Sequence, residues 1–192
     1  MDPHERTLYL TFDDGPAPEV TPWVLDTLAQ HCARATFFLV GRNAERHPGL
    51  VNRIRSEGHS IGNHTYGHVD GWSTPTQDYI TDADRAQRLT GTQLFRPPYG
   101  RITRKQSALL RQRSNVVMWD ALSKDYDART SPEACLRNAL RYARNGSIIV
   151  FHDSIKAETR LRFALPKALE AWRVQGYRFA ALPENGIIAP RK

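Results

Sequence analysis

A chain of 192 residues with 40% hydrophobic content is long enough to bury most of its apolar surface in one domain. Its two cysteines, Cys32 and Cys135, are too few and too far apart for a disulfide framework or a zinc ribbon, and no apolar run reaches the ~18 residues of a membrane span. The net charge of +7 suggests a polyanion partner, but the arginines of 101–113 and 137–144 fall at helical spacing among polar neighbours, without the interleaved aromatics that specific single-strand nucleic-acid binding needs.

The chain opens on a polar segment, Met1-Asp2-Pro3-His4-Glu5-Arg6, with neither an apolar h-region nor a cleavage pattern, and so reads as cytoplasmic or as trimmed from an exported protein. Thr7–Phe12 is the first of seven short β-rich runs, most of them nearly continuous in apolar residues, the pattern of parallel strands buried on both faces. It ends on Asp13-Asp14-Gly15-Pro16, and a helix follows in which Val20, Trp23, Val24 and Leu28 share a face. Ala35–Val40 and His59–Asn63 are the next strands, the second running into His64-Thr65-Tyr66-Gly67-His68. Thr74-Pro75 has the form of an N-cap followed by proline at the first helical position. Leu94–Arg96 leads into Pro97-Pro98-Tyr99-Gly100, Val116–Asp120 is the fifth run, and Ser131-Pro132 repeats the cap signal. Ser147–Phe151 is followed by His152-Asp153. A helical stripe of Leu161, Leu165, Ala168, Leu169 and Trp172, with Pro166 set against its early turns, leads to the last run, Tyr177–Ala181.

This alternation predicts an α/β fold with about seven parallel strands, in a single domain spanning 1–192. Asp13, Asp14, His64, Arg96, Asp120 and His152 all follow the expected C-terminal ends of different strands. A barrel gathers such ends around one rim, so a (β/α) barrel is favoured over an open sheet.

The residue types point to metal-assisted chemistry. One helical turn would put His64 and His68 on the same side, the loop-like turn that Gly67 suggests is compatible with this, and one more carboxylate would complete the three protein ligands of a catalytic zinc. Two adjacent aspartates are costly to bury unless a cation or a base neutralises them, so Asp13 and Asp14 supply a ligand and a base between them. Arg96 offers a planar fork for a carboxylate, and the rigid loop after it can aim a backbone N–H at a developing oxyanion. His152 is a candidate proton donor, with Asp120 and Asp125 as candidates to orient it and raise its pKa.

Thr11–Pro16, His64–His68, Arg96–Gly100 and Val150–His152 resemble, in order, four of the five motifs of the NodB-homology polysaccharide deacetylases, carbohydrate esterase family 4. The resemblance covers roughly residues 7–182. It implies a distorted (β/α) barrel holding one divalent metal, zinc by default with cobalt, nickel or manganese also compatible. The implied reaction removes N-acetyl groups from amino-sugar polymers, with an acetylated oligo- or polysaccharide as the partner. Carried over by position, Asp13 resembles the general base, held by Arg96; Asp14, His64 and His68 the metal ligands; the Tyr99 N–H an oxyanion donor; and His152 the general acid. Two positions depart from the family pattern. Tyr126 follows Asp125 where the fourth motif ends in Asp-Trp, and Val150 stands where the fifth has leucine. Pro98, Tyr99, Tyr126 and Val150 are therefore the expected substrate contacts, with Tyr66 and Trp72 as further aromatics near the rim. Two rival readings are an O-acetyl esterase acting on xylan or another acetylated sugar polymer, and a catalytically silent glycan- or polyanion-binding module.

Overall fold

The computed structural model describes residues 6–184; the segment 1–5 and the residues after 184, which the expected domain of 1–192 includes, lie outside the described residues. Parallel strands run in the order β5-β4-β3-β2-β1-β7-β6: β1 (Arg6–Asp13), β2 (Ala35–Leu39), β3 (Ser60–Asn63), β4 (Leu94–Phe95), β5 (Asn115–Val116), β6 (Ala121–Leu122) and β7 (Ile148–His152). An eighth strand, β8 (Tyr177–Phe179), pairs with the first half of β1, from Arg6 opposite Tyr177 to Leu8 opposite Phe179, while β7 takes the second half. Among the described residues the path is not closed between β5 and β6, so the strands form a half-barrel with the helices around it.

The alternation within β1 explains the layers. Leu8, Leu10 and Phe12 face outward into the main core, where Phe12 lies between Phe37 and Phe151 at ring separations of 5.1 and 6.0 Å. Two of the surrounding helices, α1 (Thr21–Gln30) and α7 (Glu158–Val174), cover that face with Val24, Leu25 and Leu28 and with Leu161, Leu165, Leu169 and Trp172. Pro166 does not break α7, because the helix keeps its apolar stripe buried on both sides of it. Thr11 and Asp13 point the other way, into the barrel interior.

The remaining helices are α2 (Gly41–Arg46), α3 (Pro48–Ser56), α4 (Thr76–Thr90), α5 (Arg104–Leu110) and α6 (Pro132–Arg141). α6 begins at the expected cap, with Ser131 Oγ accepting from Ala134 N at 3.2 Å. α4 begins one residue later than its sequence signal. Pro75 is its N-cap, and the Thr74 carbonyl accepts from Gln106 Nε2 at 3.1 Å instead.

The run Val116–Asp120 is not one strand. Val117 N donates to the Phe95 carbonyl at 2.8 Å, whereas Asp120 N donates to the Ile148 carbonyl at 2.9 Å, so residues 117–120 cross from β4 to β7 over the open side of the sheet. Asp120 thus precedes β6 rather than following a strand. Its Oδ2 accepts from Ile148 N at 2.9 Å, at the start of β7, and the carboxylate that orients His152 is that of Asp125. No helix among the described residues is long and apolar enough to cross a membrane. Both cysteines are free: Cys32 is exposed, while Cys135 is buried, which pushes its thiol up to about 12.

Candidate functional site

Strand register assembles the site. Asp13 stands opposite Phe38 of β2 and opposite His152 of β7, and Asn63 at the end of β3 stands opposite Phe95 of β4. Asp13 and His152 are therefore neighbours across β1 and β7, while His64 and Arg96 each leave the sheet one residue beyond a paired position.

Asp14 turns away from the strand with φ 79°, and its backbone carbonyl accepts from Asn43 Nδ2 at 2.9 Å. The segment His64–His68 is a loop, as Gly67 suggests, and does not take the helical turn that the spacing alone would allow. Thr65 and His68 have φ of 59° and 57°, and Asp82 Oδ1 accepts from Tyr66 N and Gly67 N at 2.7 and 2.9 Å. Asn63 Oδ1 accepts from Thr65 N at 2.8 Å, and the Thr65 carbonyl accepts from Gly41 N at 2.9 Å. A turn pinned at so many backbone groups can place both imidazoles on one side without helical geometry.

Asp14 Oδ1 lies 3.0 Å from His68 Nε2 and 3.7 Å from His64 Nε2. One ligand atom from each of the three residues falls within 4.8 Å of those of the others. A tetrahedral zinc with bonds of roughly 2.0–2.1 Å holds its donors about 3.3 Å apart, so the spacing suits a small divalent ion. Protonation fits as well. His64 Nδ1 lies 2.8 Å from the Arg96 carbonyl, which can only accept, so Nδ1 carries the proton and Nε2 keeps its lone pair. Burial pulls the His64 pKa down to about 4, against the attraction of Asp13, and the imidazole is neutral as a ligand must be. Burial opposes charge on Asp14 too, but its hydrogen bond to His68 and the field of His152 hold its carboxyl well below the usual range.

Arg96 is fully buried behind this group. Its Nη1 donates to Asp13 Oδ1 and to Thr11 Oγ1, both at 2.7 Å, and Nε and Nη2 donate to the carbonyls of Val117 and Met118, both at 3.3 Å. The guanidinium lies 4.1 Å from the Phe38 ring centroid, so it fills the barrel interior while fixing one face of the Asp13 carboxylate.

On the other side, Asp125 is buried and accepts from His152 twice, at ring Nδ1 (2.7 Å) and at backbone N (2.8 Å). The imidazole pKa is lowered by burial but raised more by Asp125, with Asp14 and Asp13 adding to the pull, and stands at about 9.

Asp13, Asp14, His64, His68, Tyr99, Tyr126, Val150 and His152 line one cavity of about 320 Å³. Arg96 and Asp125 stand behind its wall. Pro98, an expected substrate contact, is buried and off the lining; Pro97 takes that place. Tyr99 has φ 59°, and its exposed ring packs edge-on against His68 at 4.7 Å, with its hydroxyl 3.2 Å from Nδ1. Tyr126 packs edge-on against His152 at 4.8 Å.

Sequence reasoning missed three polar neighbours. Lys156 Nζ lies 3.3 Å from Asp14 Oδ2, and Lys156 and Arg101 line the cavity. Asp153 is fully buried and accepts from Gly15 N at 3.1 Å and from Thr21 Oγ1 at 2.6 Å. Only Asp153 carried a signal: a second ionisable residue directly after the histidine that closes a buried strand.

Residues 1–115 match the polysaccharide deacetylase family. The chain belongs to this family. The family match stops before β7, but relatives extend the likeness over nearly the whole chain. A peptidoglycan-N-acetylglucosamine deacetylase of Bacillus cereus is 38% identical over 182 residues, covering 91% of this chain and 66% of that protein. A chitooligosaccharide deacetylase of Sinorhizobium fredii is 34% identical over 201 residues, covering 93% of this chain and 91% of that protein. Among solved structures, the Bc1960 peptidoglycan N-acetylglucosamine deacetylase superposes with a TM-score of 0.84 at 36% identity, covering 94% of this chain and 87% of that one. The half-barrel is thus the family's fold, and the Asp14, His64 and His68 group fits its metal-assisted chemistry.

Proposed function

We propose that this chain, one NodB-homology unit over 1–192, hydrolyses the N-acetyl groups of N-acetylglucosamine-containing oligo- or polysaccharides of the peptidoglycan or chitin type. Asp14, His64 and His68 would hold the divalent ion, zinc by default, which when bound supplies Lewis acidity and a water of lowered pKa.

An acetamide resists hydrolysis because its carbonyl is weakly electrophilic and its amine leaves poorly. Asp13 takes the proton of the attacking water; Arg96 leaves it no freedom to swing out of line, which preserves the near-attack geometry. The Tyr99 backbone N–H supports the oxyanion as the tetrahedral centre forms. His152 delivers a proton to the departing nitrogen and is stocked for that role by Asp125. Tyr99, Tyr126 and Val150 bound the acetyl and sugar pocket.

The observation that carries this reading is the pairing of Asp13 with His152 across β1 and β7, one backed by a guanidinium and the other by a carboxylate. A base and an acid thus face one cavity from environments of opposite sign. Acetate release from N-acetylglucosamine oligomers by chelator-treated protein, with and without added zinc, tests it. Metal-dependent release is expected. Release from O-acetylated xylan but not from the oligomers would replace the amide with an ester, and glycan binding without release from either would leave a binding module.

A further inference from the structure

Trp72 is 68% exposed, yet its backbone is tightly held. Asp70 Oδ1 accepts from Trp72 N at 2.9 Å, and the buried Gln106 of α5 donates to the Gly71 and Thr74 carbonyls at 2.9 and 3.1 Å. A Cβ on Gly71 would meet the Arg101 carbonyl at 2.4 Å, so loop 70–74 and the segment after Gly100 are pressed together. Single exposed apolar side chains are ordinary and usually need no explanation. This one differs because the side chain it packs against, Arg101, lines the cavity.

The link to the cavity runs through Arg101. Its Nη1 lies 2.5 Å from Asp70 Oδ2, and its guanidinium carbon stands 4.9 Å from the Trp72 ring centroid and 5.8 Å from that of Tyr99. Tyr99 and Arg101 line the cavity, and Tyr99 packs on His68. From the candidate metal ligands outward, the surface reads His68, Tyr99, Arg101, Trp72, each in contact with the next. Arg101 backs one face of the indole and leaves the rest to solvent. Arg101 is itself about half exposed, with donors left over from Asp70 for hydroxyl groups.

A pyranose ring has one face of C–H groups and a rim of hydroxyls, which an aromatic face beside a guanidinium matches. We propose that Trp72, backed by Arg101, is an outlying sugar subsite that holds a neighbouring ring of the glycan chain whose acetyl group enters the cavity. The inference rests on the proposed glycan deacetylase reading and adds that chain length is sensed at Trp72. Because the loop is already fixed, stacking there orders little that was mobile.

The test compares the N-acetylglucosamine dimer and hexamer on zinc-loaded wild type, Trp72→Ala and Trp72→Phe. Trp72→Ala is expected to lower the hexamer-to-dimer ratio of kcat/KM about three- to tenfold, through KM, with Trp72→Phe recovering most of it. An unchanged ratio, or an equal fall on both substrates, overturns the subsite. Calorimetric titration of the hexamer into the metal-free forms of the same proteins reads the inference without turnover. A threefold or greater loss of affinity in Trp72→Ala upholds it, and equal affinity, or no binding by wild type, overturns it. Wild type that binds the hexamer through Trp72 but releases no acetate would sink the deacetylase reading and leave the subsite standing.

Discussion

Asp125 grips His152 at two atoms, the ring Nδ1 at 2.7 Å and the backbone N–H at 2.8 Å, so one buried carboxylate sets both where the imidazole sits and how tightly it keeps its proton. Burial alone would lower the His152 pKa; Asp125 overrides it and holds the group at about 9. The folded value is thus raised above 6.5, and the stability from this pair is fully present below pH 6.5 and lost as pH rises through about 9. On the proposed mechanism the acid form is the active one. Asp125→Asn keeps the shape but removes the charge, and is expected to move the alkaline fall-off of kcat/KM down by about one to three pH units. Histidine NMR titration of the metal-free protein checks the cause. A His152 resonance titrating near its ordinary value in wild type would contradict the assignment.

Arg96 and Asp13 form the most buried ion pair among the described residues, and the carbonyls of Val117 and Met118 complete the guanidinium's partners. Removing one member of such a pair leaves the other uncompensated. Arg96→Leu is expected to destabilise the protein by about 3–5 kcal/mol, read as a shift in urea midpoint. Arg96→Lys keeps a charge but not the fork. It should fold and lose on the order of a hundredfold in turnover, because Asp13 is no longer held in line.

Metal and base are separable by substitution. His64→Ala removes an Nε2 whose lone pair is set free by the Arg96 carbonyl, and bound zinc should fall below one ion per chain after dialysis, with turnover lost. Asp13→Asn should retain a full equivalent of zinc and lose turnover by at least about a hundredfold. Metal content by elemental analysis, measured beside acetate release, decides both. Near-full activity in Asp13→Asn would overturn its role as base.

Much of the site is legible in the sequence because its groups sit at strand ends or in the loops that follow them. A hydrophobic run followed at once by Asp13-Asp14 or by His152 is a local signal, as is the short His64-to-His68 spacing after a strand, and parallel register does the gathering. The rest depends on contacts between distant segments. Val116–Asp120 reads as a continuous strand, but Arg96 takes the carbonyls of Val117 and Met118 and their segment leaves the ladder, which carries Asp120 away from the site. His64 and His68 have helical spacing, yet Asp82, far along the chain on α4, pins their loop in another conformation. Lys156 reaches Asp14 from the turn after β7, and nothing local in the sequence marks it.

Asp153 offers a stability test that involves none of the proposed catalytic groups directly. It is fully buried, and burial, reinforced by the charges of Asp14 and Asp13, pushes its carboxyl up from 3.8 to about 8 despite the hydrogen bond from Thr21. A raised carboxyl means that the folded state binds the proton more tightly. The stability this gives is fully present below about pH 4 and lost as pH rises through about 8. Asp153→Asn has the same shape and cannot titrate, so the difference in unfolding free energy between wild type and variant should shrink or reverse sign across that window. Urea titrations of metal-free protein at a series of pH values measure it, and a constant difference would mean that Asp153 titrates normally. Gly15→Ala probes the same contact sterically. A Cβ there would meet Asp153 Oδ2 at 2.1 Å, and the backbone N–H that Asp153 holds leaves neither side room to move. A loss of about 1–3 kcal/mol is expected. It should be partly relieved in Gly15→Ala combined with Asp153→Ala, because the shorter side chain removes the clash that the single substitution creates.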